Sequence, residues 1–143
     1  MRLTSYTDYG LRLLIYVALK EDELATIQEV ADAYAISKNH LMKVAYHLGL
    51  YGFLETVRGR GGGLRLAQAP ENIRLGNVVR RMEDDFALVE CFGPSNACRI
   101  TSACRLKGIL GEALEACFSV LDRYSLADLM GEQTALEKVL LAG

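Results

Sequence analysis

The sequence has few of the features that break helices, cross a membrane or direct secretion. It contains only two prolines, and proline is the residue least compatible with a helix interior, so helices are favoured. No run of about 18 uncharged apolar residues is present, which argues against a transmembrane helix. The N-terminus lacks a long apolar stretch followed by a small-residue cleavage site, so no signal peptide is indicated. We therefore expect a cytoplasmic protein without membrane association.

Four cysteines are present. In a reducing compartment such cysteines are metal ligands, redox groups or core residues more often than disulfides. The chain has 143 residues, 51% of them hydrophobic, which is enough for a globular domain with one additional element.

Positive charge is concentrated in one segment of an otherwise acidic chain. The formal net charge is -2, yet residues 38–65 carry five basic side chains against a single acid, Glu55. From residue 71 onward, eleven acids face eight bases. A phosphate backbone responds to the local patch and not to the average, so segment 38–65 is a candidate for contact with nucleic acid.

The N-terminal half has the pattern of a helix-turn-helix. The predicted helices run from Thr4 or Ser5 to Lys20, from Thr26 to about Tyr34, and onward from Ser37. Thr26-x-x-Glu29 is a capping-box pattern, and Ser37 is a suitable N-cap for the third helix. In that helix we expect one face to be buried. Its members are Leu41, Ala45 and Leu48. Two short helices joined by so few residues indicate a helix-turn-helix.

A loop rich in glycine and arginine follows. Two short extended runs, 53–57 and 64–66, flank Arg58-Gly-Arg-Gly-Gly-Gly63 and predict a β-hairpin. A hairpin after a helix-turn-helix is a wing, and its glycines let the backbone come close to a phosphate or groove. The predicted fold class is therefore mainly α with a small β-hairpin, with a winged helix-turn-helix DNA-binding domain over residues 1–70.

The candidate contacts to double-stranded DNA lie at the two helix starts, on the third helix and on the wing. They are Thr26, Ser37, Lys38, Asn39, His40, Lys43, Tyr46, Arg58, Arg60 and Gly61. Recognition helices present their N-terminal residues to base edges in the major groove. There Asn39 is suited to adenine, and the lysines to guanine or phosphate. The alternative is that these charges form only a solvated face, and that His40 and His47 are partly buried structural residues.

The C-terminal half carries a cysteine-bearing loop and a long amphipathic helix. A helix is predicted over 75–83, a loop over 84–102 and a long dimerisation helix over 103–124. In the long helix, apolar residues recur in steps of three and four. They are Ala103, Leu106, Leu110, Ala113, Cys117, Val120 and Tyr124. Such a seam predicts pairing with a second copy. We therefore expect a homodimer, with residues 71–143 forming the cluster-binding loop and the dimerisation helix. The tail from Gly131 is predicted to be helical, with no assigned role.

Three cysteines form a candidate metal-binding set. The spacing Cys91-x6-Cys98-x5-Cys104 lacks the close pairs and the fourth Cys or His of a structural zinc site. Three thiolates on a flexible loop can hold an iron–sulfur cluster, with one iron ligated from elsewhere. The alternative is three unrelated free thiols or a redox disulfide pair. Cys117 lies on the heptad seam and is expected to be a small core residue.

Six short segments together carry a resemblance to a known family. They are Tyr6-Thr-Asp-Tyr-Gly-Leu-Arg, the Arg58-Gly-Arg-Gly-Gly-Gly wing, Val89-Glu-Cys-Phe, Asn96-Ala-Cys-Arg, Ala103-Cys-Arg-Leu-Lys and Ser125-Leu-Ala-Asp-Leu. The chain thereby resembles the NsrR family of nitric-oxide-responsive repressors over about residues 1–130. That family lies in a superfamily of winged-helix regulators that includes the iron–sulfur-biogenesis regulator IscR. The cysteine segment with its flanks is the most specific part.

The resemblance implies a transcription repressor with an iron–sulfur cluster, [4Fe-4S] favoured over [2Fe-2S], that senses nitric oxide and then releases a palindromic operator. It implies Cys91, Cys98 and Cys104 as ligands, with Asp8 of the partner subunit as the fourth. The alternative for Asp8 is that it only stabilises the positive N-terminal end of its helix. An IscR-like protein has a histidine three residues after the third cysteine, where this sequence has Lys107.

Three other functions compete with this interpretation. They are a [2Fe-2S] or iron-status sensor of the same superfamily, an electron-transfer or enzymatic iron–sulfur protein, and a metal-free thiol-switch DNA-binding protein. The sequence shows no nucleotide-binding loop, flavin signature or nucleophile–base pair. We therefore expect no enzymatic activity.

Overall fold

The described part of the chain is mainly α-helical with one small hairpin. The computed structural model describes residues 1–141, so the last two residues of the predicted tail lie outside it. Its helices are α1 (Ser5–Leu19), α2 (Ile27–Tyr34), α3 (Lys38–Leu50), α4 (Leu75–Met82), α5 (Leu106–Asp122) and α6 (Gln133–Leu140), and its strands are β1 (Leu54–Val57) and β2 (Gly63–Leu66). Short 3-10 helices cover Pro70–Asn72, Glu90–Phe92 and Leu126–Glu132. This arrangement confirms the predicted fold class.

The first helix supplies the centre of the apolar core. Thr4 caps α1 by accepting a hydrogen bond from the backbone N–H of Thr7 at 3.4 Å. Leu13, Leu14 and Val17 are buried along one face of α1, in steps of one, three and four residues that keep them on one side of a helix. They belong to one cluster that also includes Leu41 of α3, Leu64 of β2 and Val78 of α4. Full burial of each such side chain stabilises the fold by roughly 1.5–3 kcal/mol.

The second and third helices form the predicted helix-turn-helix. Both hydrogen bonds of the capping box are present, since Glu29 N–H donates to Thr26 Oγ1 at 3.1 Å and Thr26 N–H donates to Glu29 Oε2 at 2.7 Å. The inward face of α3 is as predicted. Its buried members include Leu41, Ala45 and Leu48.

Tyr34 at the end of α2 fastens the helix-turn-helix to α1. Its hydroxyl donates to the backbone carbonyl of Arg12 at 2.9 Å, and its ring meets that of Tyr16 at 6.4 Å between centroids. Burial raises the pKa of Tyr34 to about 12. The hydroxyl therefore keeps its proton, and its donor role, throughout the neutral pH range.

The hairpin is tied to the start of the helix-turn-helix. β1 and β2 pair antiparallel, with Leu54 opposite Leu66 and Val57 opposite Gly63. Ala25, which precedes α2, exchanges two backbone hydrogen bonds with Leu64, at 3.0 and 2.7 Å. A hairpin alone is only marginally stable, so this third backbone segment fixes the wing relative to α2 and α3.

An ion pair joins α4 to α5. The Arg80 guanidinium donates to both carboxylate oxygens of Asp122, at 2.6 and 2.8 Å, and lies 4.3 Å from the centroid of the Phe118 ring. The hydrogen bonds from Arg80 hold the pKa of Asp122 below its usual range. Both side chains are partly exposed, so the pair adds little stability. Together with the buried Phe118 ring, the pair marks the side of α5 that faces α4.

The exposed apolar face of α5 differs from the predicted seam. Phe118 is the residue of α5 that is buried against α4. The exposed apolar residues, called here the α5 stripe, are Leu106, Ile109 and Val120, at 54, 55 and 45% exposure. The predicted seam omitted Ile109 and included Leu110 and Cys117, which are half-buried within the single chain. The rotation of the helix depends on its contacts with α4, which the spacing of apolar residues does not encode.

The core extends across the predicted boundary near Pro70. The cluster around α1 includes Ile73, Met82 and Leu126, so residues from both sides of this boundary share one core. The functional division into residues 1–70 and 71–143 stays a prediction. The predicted helical tail is present as α6. Within residues 1–141, no helix combines the length and apolar character needed to cross a membrane.

The turn between α2 and α3 offers a test of backbone strain. Ala35 has a φ of 54°, in the left-handed region, where a Cβ is disfavoured and glycine is not. We expect Ala35→Gly to raise the free energy of unfolding by about 0.5–1 kcal/mol, after the greater freedom of glycine in the unfolded chain is deducted. Urea unfolding followed by circular dichroism measures this free energy.

The control is Ala33→Gly, inside α2, which should lower the free energy of unfolding by about 1 kcal/mol. If both variants lost the same free energy of unfolding, the argument from backbone strain would be wrong.

Candidate nucleic-acid interface and metal-binding loop

The outward face of α3 carries four of the ten candidate DNA contacts. Lys38, Asn39, Lys43 and Tyr46 are all exposed on this helix. Within residues 1–141 neither lysine forms an ion pair. The ammonium groups are therefore available to phosphate oxygens, whose neutralisation releases counterions and provides sequence-independent affinity.

Thr26 and Ser37 hold the starts of α2 and α3. Their side-chain oxygens accept hydrogen bonds from the backbone N–H groups of Glu29, at 3.1 Å, and of His40, at 3.4 Å. Both residues are exposed. Each hydroxyl is also a hydrogen-bond donor. While its oxygen caps the helix, its O–H can donate a hydrogen bond to an acceptor outside the chain.

The two histidines of α3 are half-buried against α1. The His40 ring meets the Tyr9 ring edge-on at 4.9 Å between centroids. Tyr6 donates its hydroxyl hydrogen bond to the backbone carbonyl of Lys43 at 3.2 Å and also contacts His47 Nδ1. Sequence analysis identified both histidines but not Tyr6 and Tyr9, because these partners lie more than thirty positions away. Together they join the first turn of α1 to the recognition helix.

The wing exposes a second pair of cations. Arg58, Arg60 and Gly61 are exposed, whereas Arg65 is engaged with Glu55 at 2.8 Å. Gly59 and Gly61 have φ values of 97° and 75°, so the tip follows a path that residues with a Cβ rarely adopt. No ion pair within residues 1–141 involves Arg58 or Arg60. The tip thus presents free guanidinium groups on a narrow backbone, a shape suited to the minor groove or a phosphate.

The candidate ligand cysteines lie on the segment between α4 and α5. All have free thiols, with Cys98 exposed and Cys91 and Cys104 half-buried. Among the described residues, no three His, Cys, Asp or Glu side chains converge to hold a metal ion. The donor types nevertheless fit an iron–sulfur cluster, for which thiolates are the usual ligands. Cys117 is half-buried on α5, where it lines a cavity of about 420 Å³ that residues 85–88, at the start of this segment, also line.

The cysteine segment is held by local bonds. Ala97 N–H donates to Glu90 Oε1 at 2.9 Å, Cys98 N–H donates to Asn96 Oδ1 at 2.9 Å, and Thr101 Oγ1 donates to the Cys98 carbonyl at 2.9 Å. These bonds join residues no more than seven positions apart. The part of the segment around Cys98 can therefore change its shape by breaking only these local bonds, whereas Phe86 near the segment's start packs against the buried Phe118 ring, 4.7 Å between centroids.

Asp8 lies in the first turn of α1 and is half-exposed. Its carboxylate accepts from Arg12 Nε at 3.2 Å and pairs with Arg12 Nη2 at 2.7 Å. Asp8 and the helix start are close enough for the favourable dipole interaction expected of an acid there. The structure thus gives Asp8 a role within its own chain and leaves its side chain open to solvent.

A further link, which sequence analysis missed, joins the start of α1 to the end of α4. Thr4 N–H donates to Glu83 Oε1 at 2.6 Å, and Thr4 Oγ1 donates to Glu83 Oε2 at 2.9 Å. Glu83 is the residue from which the cysteine segment departs, and Thr4 is the N-cap of α1. The two residues are 79 positions apart, so no local pattern could reveal the contact.

A helix-turn-helix and a hairpin with free arginines at its tip define a winged-helix DNA-binding regulator. Residues 3–132 match the Rrf2 family, described as iron-dependent transcriptional regulators. The chain belongs to the Rrf2 family.

Curated relatives agree with this assignment. The chain is similar to the HTH-type transcriptional regulator NsrR of Bacillus licheniformis, with 54% identity over 98% of this chain and 99% of that protein. It is also similar to the regulator of the same name from Bacillus subtilis, with 53% identity over 98% of this chain and 97% of that protein. The homologues support transcription regulation, repression and DNA binding, as predicted.

Solved structures share the fold. IscR of T. potens superposes with a TM-score of 0.75 at 20% identity, over 92% of this chain and 88% of that one. The oxidized form of Staphylococcus aureus CymR superposes with a TM-score of 0.73 at 25% identity, over 92% of this chain and 97% of that one. The winged-helix architecture predicted from the sequence is thereby confirmed.

Removal of the Lys43 ammonium group tests the outward face of α3. If Lys43 neutralises one phosphate, Lys43→Ala should lower affinity for all duplexes by a similar factor and reduce the slope of log K against log salt by about 1. Fluorescence anisotropy at several salt concentrations measures both quantities. Lys138→Ala, which removes an exposed charge from α6, is the matched control. An unchanged slope for Lys43→Ala would place this lysine outside the DNA contact.

Proposed function

We propose that this protein is a cytoplasmic, homodimeric transcription repressor that binds a palindromic operator and releases it in response to nitric oxide. In this proposal Cys91, Cys98 and Cys104 hold an iron–sulfur cluster, with Asp8 of the partner subunit as fourth ligand. The observation that carries it is a set of three free thiols on one segment, in a chain 54% identical to a regulator named NsrR. No residue is assigned a catalytic role, and the proposed function is not enzymatic.

The ligand set accounts for a reactive position. When bound, the cluster, [4Fe-4S] in this proposal, supplies iron that takes up nitric oxide. Three thiolates are soft donors that hold iron firmly, whereas a single carboxylate oxygen is a hard and weaker partner. Arg12 already engages both oxygens of Asp8, and this competition weakens Asp8 as a donor. Asp8 is therefore the ligand most easily displaced.

Two contacts support a path from the cysteine segment to the recognition helix. Glu83 at the start of the segment binds Thr4 at the start of α1. Two residues further along α1, Tyr6 binds the backbone of α3 at Lys43. A shift of the segment is thus passed to α3 through two hydrogen-bonded contacts, and the spacing of two recognition helices, about 34–36 Å in such dimers, decides whether a palindrome is bound.

The proposed DNA contacts divide by what each group can recognise. Asn39 and the lysines of α3 face the major groove, where base edges differ. Arg58 and Arg60 of the wing contact phosphate or the minor groove. Thr26 and Ser37 donate to phosphate from the helix starts, and His40, Tyr46 and Gly61 complete the proposed contacts.

The α5 stripe supports a dimer. Leu106, Ile109 and Val120 remain exposed on one helix. Leu106 and Ile109 are on neighbouring turns, and Val120 follows on the same side about three turns later. A second copy that covers this stripe removes apolar surface from water. The same association supplies Asp8 from the other chain, so the dimer and the fourth ligand belong to one proposal.

Removal of one proposed ligand thiol tests the cluster, and removal of a cysteine outside the ligand set is the control. Anaerobically purified protein should show a broad visible absorption band and bound iron, Cys98→Ala should lose both, and Cys117→Ala should keep both, because Cys117 lies on α5 outside the segment. Nitric oxide titration should bleach the band and lower operator affinity in parallel.

Three results would overturn parts of this proposal. A colourless wild-type protein that binds operator after purification with iron supplied favours a metal-free thiol switch. An absorption band with no response of DNA binding to nitric oxide favours the iron-status sensor. For the fourth ligand, Asp8→Ala should give a more labile cluster than the control Arg12→Ala, which breaks the same ion pair but keeps the carboxylate. Equal lability of the cluster in the two variants would show that Asp8 only stabilises its helix.

A charge within the α5 stripe tests the dimer. Ile109→Glu places a carboxylate where apolar contact is proposed, and desolvation of that charge should shift the protein from dimer toward monomer. Sedimentation velocity at micromolar concentration reports the species. Val139→Glu, an equally drastic change at an exposed site of α6, should leave the distribution unchanged. A dimer that survives Ile109→Glu would exclude the stripe as the interface.

A further inference from the structure

Three apolar side chains lie on the outward face of the recognition helix. Met42, Tyr46 and Leu50 are 52, 64 and 63% exposed. They are four residues apart, so they form a row along one side of α3. Single exposed apolar residues are ordinary on protein surfaces, but a row of three on the helix that carries Lys38 and Lys43 is not explained by packing within the chain.

Met42 has the position and chemistry to contact bases. It lies in the second turn of α3, about 6 Å along the axis from Lys38, and at about 100° per residue it falls between Lys38 and Asn39 around the outward side. Recognition helices place such N-terminal residues against base edges. Met42 does not belong to the apolar cluster of the core, and its unbranched side chain with three rotatable bonds adapts to an irregular surface.

The chemistry of the DNA major groove indicates which group Met42 contacts. The surrounding lysines and wing arginines fit a phosphate backbone, which makes duplex DNA the occupant of this face. Among the major-groove edges of the four base pairs, the thymine C5-methyl is the one apolar group. We propose that Met42 contacts thymine methyl groups and thereby gives the operator a thymine preference at one or two positions in each half-site. This inference rests on the proposed DNA-binding function.

The other two members of the row differ from Met42. The Tyr46 ring lies edge-on to His47, 5.4 Å between centroids, and its hydroxyl suits a phosphate or polar base edge. Leu50 is the last residue of α3, about 18 Å along the axis from Lys38. Leu50 is therefore the matched control, since it is equally apolar and exposed but stands at the end of the helix distant from the bases.

Replacement of thymine by deoxyuridine isolates the methyl group. The probe is a duplex selected from a random library by the full-length wild-type protein, together with versions in which each symmetric pair of thymines is replaced by deoxyuridine. This change removes a methyl group and leaves every hydrogen-bonding group in place. We expect the wild-type protein to lose about three- to tenfold in affinity at one or two positions, as burial of one or two methyl groups predicts.

The variants decide the assignment. Met42→Ala should bind the unmodified duplex several-fold more weakly and show no difference between thymine and deoxyuridine at those positions. Its salt slope should stay unchanged because no charge is removed. Leu50→Ala should keep the full thymine preference, and Met42→Leu should keep most of it. Circular dichroism confirms that each variant is folded.

Two outcomes overturn the inference and separate it from the function on which it rests. If wild-type protein selects a specific duplex but Met42→Ala keeps the thymine preference, or the wild type shows none, Met42 does not contact a methyl group and the regulator proposal stands. If the wild-type protein selects no sequence at all, both proposals fail together.

Discussion

Burial of one face of α1 is the constraint on which the other elements depend. Leu13, Leu14 and Val17 share a cluster with side chains of α3, β2 and α4, so the helix-turn-helix, the wing and the segment that leads to the cysteines are all positioned against one helix. The first turn of α1 also carries Asp8 and Tyr6, a proposed ligand and a contact to α3. Closely packed interiors do not deform continuously. A displacement of the helix start is therefore passed to its neighbours as a rigid movement, which is what a regulator requires of the element between its two sites.

The proposed DNA-facing surface consists of side chains that the core does not bury. The 3.6-residue period of α3 assigns Leu41, Val44 and Leu48 to the interior and leaves Asn39, Met42 and Lys43 outside. Because these outward side chains do not pack in the core, their identity can determine base preference with little effect on the stability of the fold. The wing obeys the same division, since Leu64 anchors it to Ala25 while its tip carries unpaired arginines.

Local signals explain what the sequence predicted. The Thr26–Glu29 capping box, the inward face of α3 and the glycine-rich hairpin depend on residues within a few positions of one another, and all were found as predicted. The contacts that were missed are distant in sequence. Thr4–Glu83 and Tyr6–His47 span 79 and 41 residues, and the side of α5 that faces α4 is the one that carries Asp122 and the buried Phe118. Residue types and spacing gave the three candidate cysteine ligands, and the family resemblance added Asp8. Among the described residues these side chains do not converge, and spacing on a loop without a regular period does not determine how they would come together.

The weakness of the local structure around the cysteines is itself consistent with a sensing role. Each hydrogen bond such as Cys98–Asn96 contributes about 1 kcal/mol, whereas metal–thiolate binding in small domains contributes on the order of 10 kcal/mol. Ligation of the proposed cluster would therefore override the local bonds and order the segment around the thiolates. The start of the segment is held by the Thr4–Glu83 hydrogen bonds and by the Phe86 ring against Phe118, 4.7 Å between centroids. Because these contacts join the segment to α1 and α5, a change of shape in the proposed ligated segment would act on both helices. A rigid loop would resist ligation, and a loop without anchors would transmit nothing.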